Sequence, residues 1–243
     1  MIALLQWVTL AVCGIVALAR IPSALRGENR SLFFIFAFMT VATLLSIEAP
    51  YLAIDQVLGG TNVANLILRF IIFGAILALG LRLARGFGAD DALRLITGRA
   101  GIAVLAAASA AVLVVFLMMD THGSSAGLAA VSIKDDRHQA LVEYYGAAGR
   151  LYPAYVMLTL LPAMLRTAAG KLPLLVRFSA GLLAVGSVAV TLSLLSPLIP
   201  PALGFIRFVV NYSAILCFAV GLALIWVGKI VAKRAPKKQT SLT

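Results

Sequence analysis

The chain has 243 residues, of which 62% are hydrophobic and only 12% are charged, and its mean hydropathy is +1.05. A soluble domain is nearer to half apolar and a quarter charged, so this composition excludes an ordinary soluble domain. The net charge of +11 does not indicate a nucleic-acid-binding protein. The basic residues are spread between apolar segments and are not gathered on one polar face.

Apolar segments of about twenty residues recur along the chain and predict an all-α, polytopic membrane protein. The seven predicted transmembrane spans are residues 2–19, 32–54, 63–83, 101–119, 142–165, 174–195 and 203–231. They form one domain, residues 1–231, which a basic tail follows at residues 232–243. The first segment lacks a basic flank before it and a small-residue cleavage site, which indicates a retained helix. The alanine-rich fourth span is expected to pack centrally.

The basic residues also predict the orientation of the chain. Fifteen of the twenty lie in one set of connections and in the tail. By the positive-inside rule that side is cytoplasmic, so we expect the N-terminus outside, the C-terminus inside, and a multi-pass location in the plasma membrane. The outer connection of residues 120–141 is polar and rich in glycine and serine at first. Its second half is expected to lengthen the fifth helix outward.

Four charged residues lie inside the predicted spans at a common depth. At a helical rise of about 1.5 Å per residue, Arg69 and Arg150 lie about 24 Å from the cytoplasmic flank, and Glu48 lies about 27 Å from it. Arg207 is a few residues past the outer end of its helix. Since the hydrocarbon core is about 30 Å thick, all four are expected in its outer quarter.

Three interpretations of this layer stay open. The arginines can snorkel to the headgroups, or Glu48 can pair with Arg69 for a structural purpose. In the third interpretation the layer is an outward-facing site with excess positive charge, which suits an anionic small molecule or a lipid headgroup. The candidate ligand-binding residues are then Glu48, Asn65, Arg69, Arg150, Tyr155, Arg207 and Asn211.

The sequence does not predict an enzyme. No histidine lies in a span and no lysine lies in the middle of one, which excludes a bis-histidine haem inside the bundle and a retinal Schiff base. There is no Walker loop, H-E-x-x-H or G-x-S-x-G motif. His122, His138 and the acids of the outer connection match no compact metal-ligand spacing. We therefore expect no catalytic residue, no metal site and no cofactor.

Stretches of helices two, three, five and six carry a resemblance to a known family. They are EAPYLAIDQVLGGTNVANLILRFIIFG, EYYGAAGRLYPAYVMLTLLPAMLR and LPLLVRFSAGLLAVGSVAVTL. In these stretches the chain resembles small seven-helix membrane proteins of actinobacteria that are labelled as transporters without a demonstrated substrate. The resemblance implies a membrane location and seven helices, and it supplies no substrate and no functional residue.

These observations predict a transporter or ligand-binding membrane protein with an outward-facing cationic site. The alternative is a membrane sensor or accessory subunit that acts through helix contacts with a partner membrane protein. Assembly into a homo-oligomer would use the same kind of contact. The lipid bilayer is the expected surrounding in every case, and nucleic acid is not an expected partner.

Overall fold

The computed structural model describes residues 2–27 and 30–199 and, near the C-terminus, residues 206, 209–210, 213–214, 216–218, 220–222 and 224–225. Every regular element in these residues is helical, which confirms the all-α prediction. The α-helices are α1 Ile2–Leu25, α2 Arg30–Leu44, α3 Glu48–Val57, α4 Val63–Gly86, α5 Asp90–Thr97, α6 Arg99–Met118, α7 Ala129–Ser132, α8 Asp136–Ala169 and α9 Leu174–Leu192. Short 3-10 helices occupy Ala126–Leu128 and Ser193–Leu198.

The centre of the described bundle is α8, which packs against α4, α6 and α9. Its buried positions run from Leu141 to Met164. The expectation that the alanine-rich fourth span lies centrally was wrong, because α6 buries few of its residues. Alanine permits close approach but removes little apolar area from water, whereas α8 supplies the larger tyrosine, methionine and leucine side chains. As predicted, this helix extends beyond its span, since it begins at Asp136.

The second predicted span differs most from the structure, because it is broken into α2 and α3. The two axes meet at 90°. Ile47, between them, has an extended backbone. In a continuous helix the ring of Pro50 would clash with the carbonyl of Ser46, and Pro50 has no N–H to donate. The break puts Pro50 in the first turn of α3, where its missing N–H costs nothing.

Three helical segments of the described chain are long and apolar enough to cross a membrane: α4, α6 and Leu174–Leu198. The bent pair α2–α3 makes a fourth if it is one broken span. The chain therefore has the composition of a membrane protein. The count of seven spans and the orientation stay predictions. Most of the seventh span and the whole basic tail lie outside the described residues.

The helices α4 and α8 run parallel along their contact. Arg69 lies beside Gly149 near the beginning of the contact, and Gly80 lies beside Val156 further along. The connection between α6 and α8 folds over the end of the bundle where α4 begins, which we call the loop end. Helix α5 connects α4 to α6 at the opposite end, which we call the α5 end.

Candidate functional site

The side chain of Arg69 lies between α4 and α8 and does not point away from the bundle. Its guanidinium carbon is 5.0 Å from the centre of the Tyr145 ring, a cation–π distance. On the other side it lies against Gly149, since a Cβ atom built on that glycine would be 2.8 Å from Nη1 of Arg69. The absence of a side chain at Gly149 therefore gives the guanidinium its place against the backbone of α8.

One face of α4 continues this contact toward both ends. Asn65 precedes Arg69 by one turn and is only 4% exposed. Residues four apart on a helix share a face, so Asn65 lies on the same face of α4 as Arg69. One turn after Arg69, Phe73 packs edge-to-face on Tyr152 at 5.7 Å between ring centres. We call Asn65, Arg69, Tyr145 and Gly149 the Arg69 cluster.

The Arg69 cluster contains every buried side-chain polar atom that lacks a hydrogen-bond partner in the described part of the chain. These atoms are Oδ1 of Asn65, Nε of Arg69 and the hydroxyl of Tyr145. The Tyr145 side chain is fully buried, and its hydroxyl lies beside the guanidinium of Arg69. Leaving a buried donor or acceptor unpaired costs about 1–3 kcal/mol, and such atoms are rare in folded proteins. All three of these atoms belong to the cluster around the guanidinium of Arg69.

A second buried polar network lies at the beginning of α4. Its centre is the fully buried Asp55. Its carboxylate accepts hydrogen bonds from the backbone N–H groups of Asn62 and Ala64, at 2.9 and 3.0 Å, and from the hydroxyl of Ser124. Asn62 has a left-handed backbone, with φ of 58°, and its side chain does not cap α4. The carboxylate of Asp55 therefore caps the beginning of α4 from α3, and its charge is favourable beside that end of the helix dipole.

The side chain of Asn62 fastens the connection after α6 to the loop end. Its Nδ2 donates to the carbonyls of Thr121 and Gly123, both at 2.9 Å. Its Oδ1 accepts from the hydroxyl of Tyr51 at 2.7 Å and from the backbone N–H of Ser125 at 3.0 Å. All four bonds have normal lengths, so the connection is held as a cover over α3 and α4.

An ion pair and a histidine–carboxylate contact at the surface hold the other side of this cover. Lys134 donates to the carboxylate of Asp120 at 2.8 Å, and the ring of His138 lies 2.8 Å from the carboxylate of Asp135. The Lys134 hydrogen bond, followed by the N–H of His122, holds the pKa of Asp120 below its usual value. The backbone N–H of His138 and then its ring lower the pKa of Asp135 in the same way.

The structure brings together only part of the predicted site. Asn65 and Arg69 lie in the cluster. Glu48 is exposed in the first turn of α3 and forms none of the ion pairs found in the described residues. The paired interpretation of Glu48 and Arg69 therefore fails, because the 90° break turns α3 out of the line of α2. The buried acid of this end of the bundle is Asp55 instead.

The remaining predicted residues lie elsewhere. Arg150 is half-buried on another side of α8, where its Nη1 donates to the carbonyl of Ser193 at 3.3 Å. Tyr155 donates to the carbonyl of Leu95 in α5 at 2.8 Å, so its hydroxyl lies at the α5 end of the bundle. Arg207 and Asn211 lie outside the described residues.

Sequence reasoning missed Asp55, Asn62, Tyr145 and Gly149. Two signals could have indicated them. Asn65 and Arg69 are four residues apart and so share one face of α4, Asn62 directly precedes this helix, and the Gly59–Gly60 pair before them marks a tight turn. Tyr145 and Gly149 are four residues apart and so share one face of α8. A glycine at that spacing from a buried tyrosine leaves room for a long side chain from a neighbouring helix.

The described residues contain no group of three histidine, cysteine or acidic side chains that could hold a metal ion. No known protein family matches the chain, and no curated protein or solved structure is significantly similar to it.

Proposed function

We propose that this chain is a multi-pass membrane protein that binds a small oxyanion at Arg69, between α4 and α8. The observation that carries the proposal is the cluster of three unpartnered buried atoms, Asn65 Oδ1, Arg69 Nε and the Tyr145 hydroxyl. Ionisable side chains in transmembrane segments normally face a partner or a polar cavity, and they mark ligand or ion pathways.

The charge balance supports an anionic ligand. No carboxylate of the described residues lies within ion-pair distance of Arg69. The carboxylate of Asp55 is occupied by the donors that cap α4. A half-buried guanidinium without a counter-charge is costly, and an oxyanion would lower that cost through charge-assisted hydrogen bonds.

The identity of the unpartnered atoms narrows the ligand class further. Nε of Arg69 is a donor and requires an acceptor, which an anionic oxygen supplies. Oδ1 of Asn65 is an acceptor and requires a donor on the ligand. The Tyr145 hydroxyl can serve either role. The preferred ligand is therefore an oxyanion that also carries a hydrogen-bond donor, such as hydrogenphosphate or a hydroxycarboxylate.

Function as a carrier, with the loop end outside the cell, is part of the same proposal. The excess of basic residues in the connections at the other side supports this orientation. The cover held by Asn62 lies at the end of the bundle from which a ligand would enter.

Ligand-dependent thermal unfolding of the purified protein tests the proposal. Hydrogenphosphate and sulfate are a matched pair, because only hydrogenphosphate carries a donor near neutral pH. We expect hydrogenphosphate to raise Tm more than sulfate, and Arg69→Gln to remove that increase. Arg166→Gln is the matched control, since Arg166 is an exposed arginine whose hydrogen bond among the described residues goes to Pro162 of its own helix. Uptake of the stabilising anion into proteoliposomes then distinguishes a carrier from a receptor.

The proposal fails if no oxyanion of a panel of phosphates, sulfates and carboxylates raises Tm. It also fails if Arg69→Gln responds to these anions as the Arg166→Gln control does. Stoichiometric co-purification of a membrane protein, together with no anion response, would favour the alternative of an accessory subunit.

A further inference from the structure

A groove opens between α8 and α9 near the α5 end, far from the Arg69 cluster. Its volume is about 440 Å³, and it is lined by Ala168, Leu174, Arg177, Phe178, Gly181, Leu182 and Val185. Apart from one arginine, every lining side chain is apolar. The contributions of α9 recur at three, four and seven residues, so the groove follows a single face of that helix.

The other face of α9 is already occupied, which leaves this face to the surroundings. Gly186 packs closely against Phe218, and Leu183 packs closely against Gly221 in the described residues of the last span. On the groove face, by contrast, Phe178 is 63% exposed. A Cβ atom added at Gly181 would meet only the Cβ of Ala168, at 4.0 Å. The floor of the groove therefore has room for a slender apolar chain.

The cationic end of the groove has unused hydrogen-bonding capacity. Nε of Arg177 donates to the carbonyl of Ala168 at 3.0 Å, which fixes the guanidinium at the end of α8. Neither of its terminal nitrogens has a partner in the described residues. Lys171, in the exposed connection before α9, adds a second positive charge. The sequence contains no acidic residue after Glu143, so no carboxylate of this part of the chain competes for these cations.

We propose that the α8–α9 groove is a binding site for one anionic phospholipid, with an acyl chain along Phe178 and Gly181 and the phosphate on Arg177. The fork of an arginine matches the oxygens of a phosphate, and basic pockets between transmembrane helices on the cytoplasmic side are known sites for anionic headgroups. The groove is apolar along its length and positive at one end, which is the polarity of such a lipid. The proposal does not depend on a ligand at Arg69.

Native mass spectrometry of the delipidated full chain tests this site. The protein is titrated with phosphatidylglycerol and with phosphatidylcholine of the same acyl chains, and bound lipids are counted. At the first site we expect an affinity about fivefold higher for phosphatidylglycerol than for phosphatidylcholine. This preference is the contribution of one cation beside an anionic headgroup. Arg177→Gln should remove the preference. Arg166→Gln, which changes the net charge equally in the same region but does not line the groove, should retain it.

A second pair of variants tests the apolar part of the site. Gly181→Leu should fill the floor and reduce binding of both lipids at the first site. Gly181→Ala should bind as the wild type does, because its Cβ alone leaves the groove open. Both replacements favour the helix, so a loss of binding would not reflect unfolding. The proposal is overturned if the two arginine variants lose the preference equally, or if Gly181→Leu binds lipid normally.

Discussion

Arg69 and Arg150 look alike in the sequence, but they do different things in the structure. Arg69 faces an aromatic ring and a glycine of α8, and its Nε has no partner. Arg150 reaches the carbonyl of Ser193 at the end of α9, which is the negative end of the helix dipole. Depth along an apolar helix therefore does not decide the role of an arginine. The groups that the facing helix offers decide it.

The largest effect is expected at Asp55, which supports the Arg69 region and not the Arg150 region. Asp55→Ala leaves two buried backbone N–H groups and one hydroxyl without an acceptor, so we expect a loss of about 3 kcal/mol in unfolding free energy. Hydrogen exchange should rise at the beginning of α4 and in residues 119–125, and not between α8 and α9. Glu48→Ala removes an exposed acid from the same helix and should change stability by less than about 0.5 kcal/mol. Equal losses of stability in Asp55→Ala and Glu48→Ala would contradict a special role for the buried carboxylate.

Two glycines of α8 give a matched test of the two arginine sites. A Cβ at Gly149 would lie 2.8 Å from Nη1 of Arg69, so Gly149→Ala must displace the guanidinium. We expect at least tenfold weaker oxyanion binding, which corresponds to about 1.4 kcal/mol. A Cβ at Gly146 would lie 3.8 Å from the nearest nitrogen of Arg150, an ordinary contact. Gly146→Ala should therefore leave binding unchanged in the same titration.

Neutral replacements of the two arginines should change stability in opposite directions. Arg69→Met removes a cation without a counter-charge and an unpaired donor, at the loss of one cation–π contact, so the ligand-free protein should gain about 1 kcal/mol. Arg150→Met removes a hydrogen bond to the end of α9 and should lose about 1 kcal/mol. Chemical unfolding of both variants without added anion measures the difference. Destabilisation by both would make Arg69 a structural residue.

Much of the helical framework could be predicted from hydropathy alone. The spans predicted at 63–83, 101–119 and 174–195 correspond to α4, α6 and α9 with small differences at their ends. The break between α2 and α3 was not predicted, because hydropathy stays high across it and only Pro50 marks it. That break also explains why Glu48 was expected in the site and Asp55 was not.

The sequence predicts a depth for Arg69 but not the direction in which its side chain points. Helical rise gives the height of a residue on its own helix, whereas contacts require the rotation of two helices about their axes. That rotation depends on close packing at Gly149 and Gly80, which single-sequence periodicity does not reveal. Asn65 lies in the cluster because it shares a face of α4 with Arg69. Tyr155 follows Arg150 by five residues, which places it on a different face of α8, and its hydroxyl reaches α5.

The smallest effect concerns the cover at the loop end and its dependence on pH. The pKa of Asp120 and that of Asp135 are both lowered in the folded protein. The contribution of the two carboxylates to the stability of the cover is therefore fully present above about pH 4. It is lost as the pH falls through their lowered pKa values. Amide protection of residues 120–138 should decrease over that range, with the rest of the bundle unaffected. Lys134→Gln should weaken the dependence, and an unchanged profile in this variant would contradict the account.

The most direct measurement of the central claim is the NMR signal of the Arg69 Nε–H group in protein labelled with ¹⁵N-arginine, assigned by its loss in Arg69→Lys. Because this nitrogen is the unpartnered donor of the cluster, hydrogenphosphate should shift its signal saturably and more strongly than sulfate. The Nε–H signal of Arg166 should not move. A signal of Arg69 that stays fixed up to saturating anion, or that moves in parallel with that of Arg166, would contradict an oxyanion site between α4 and α8.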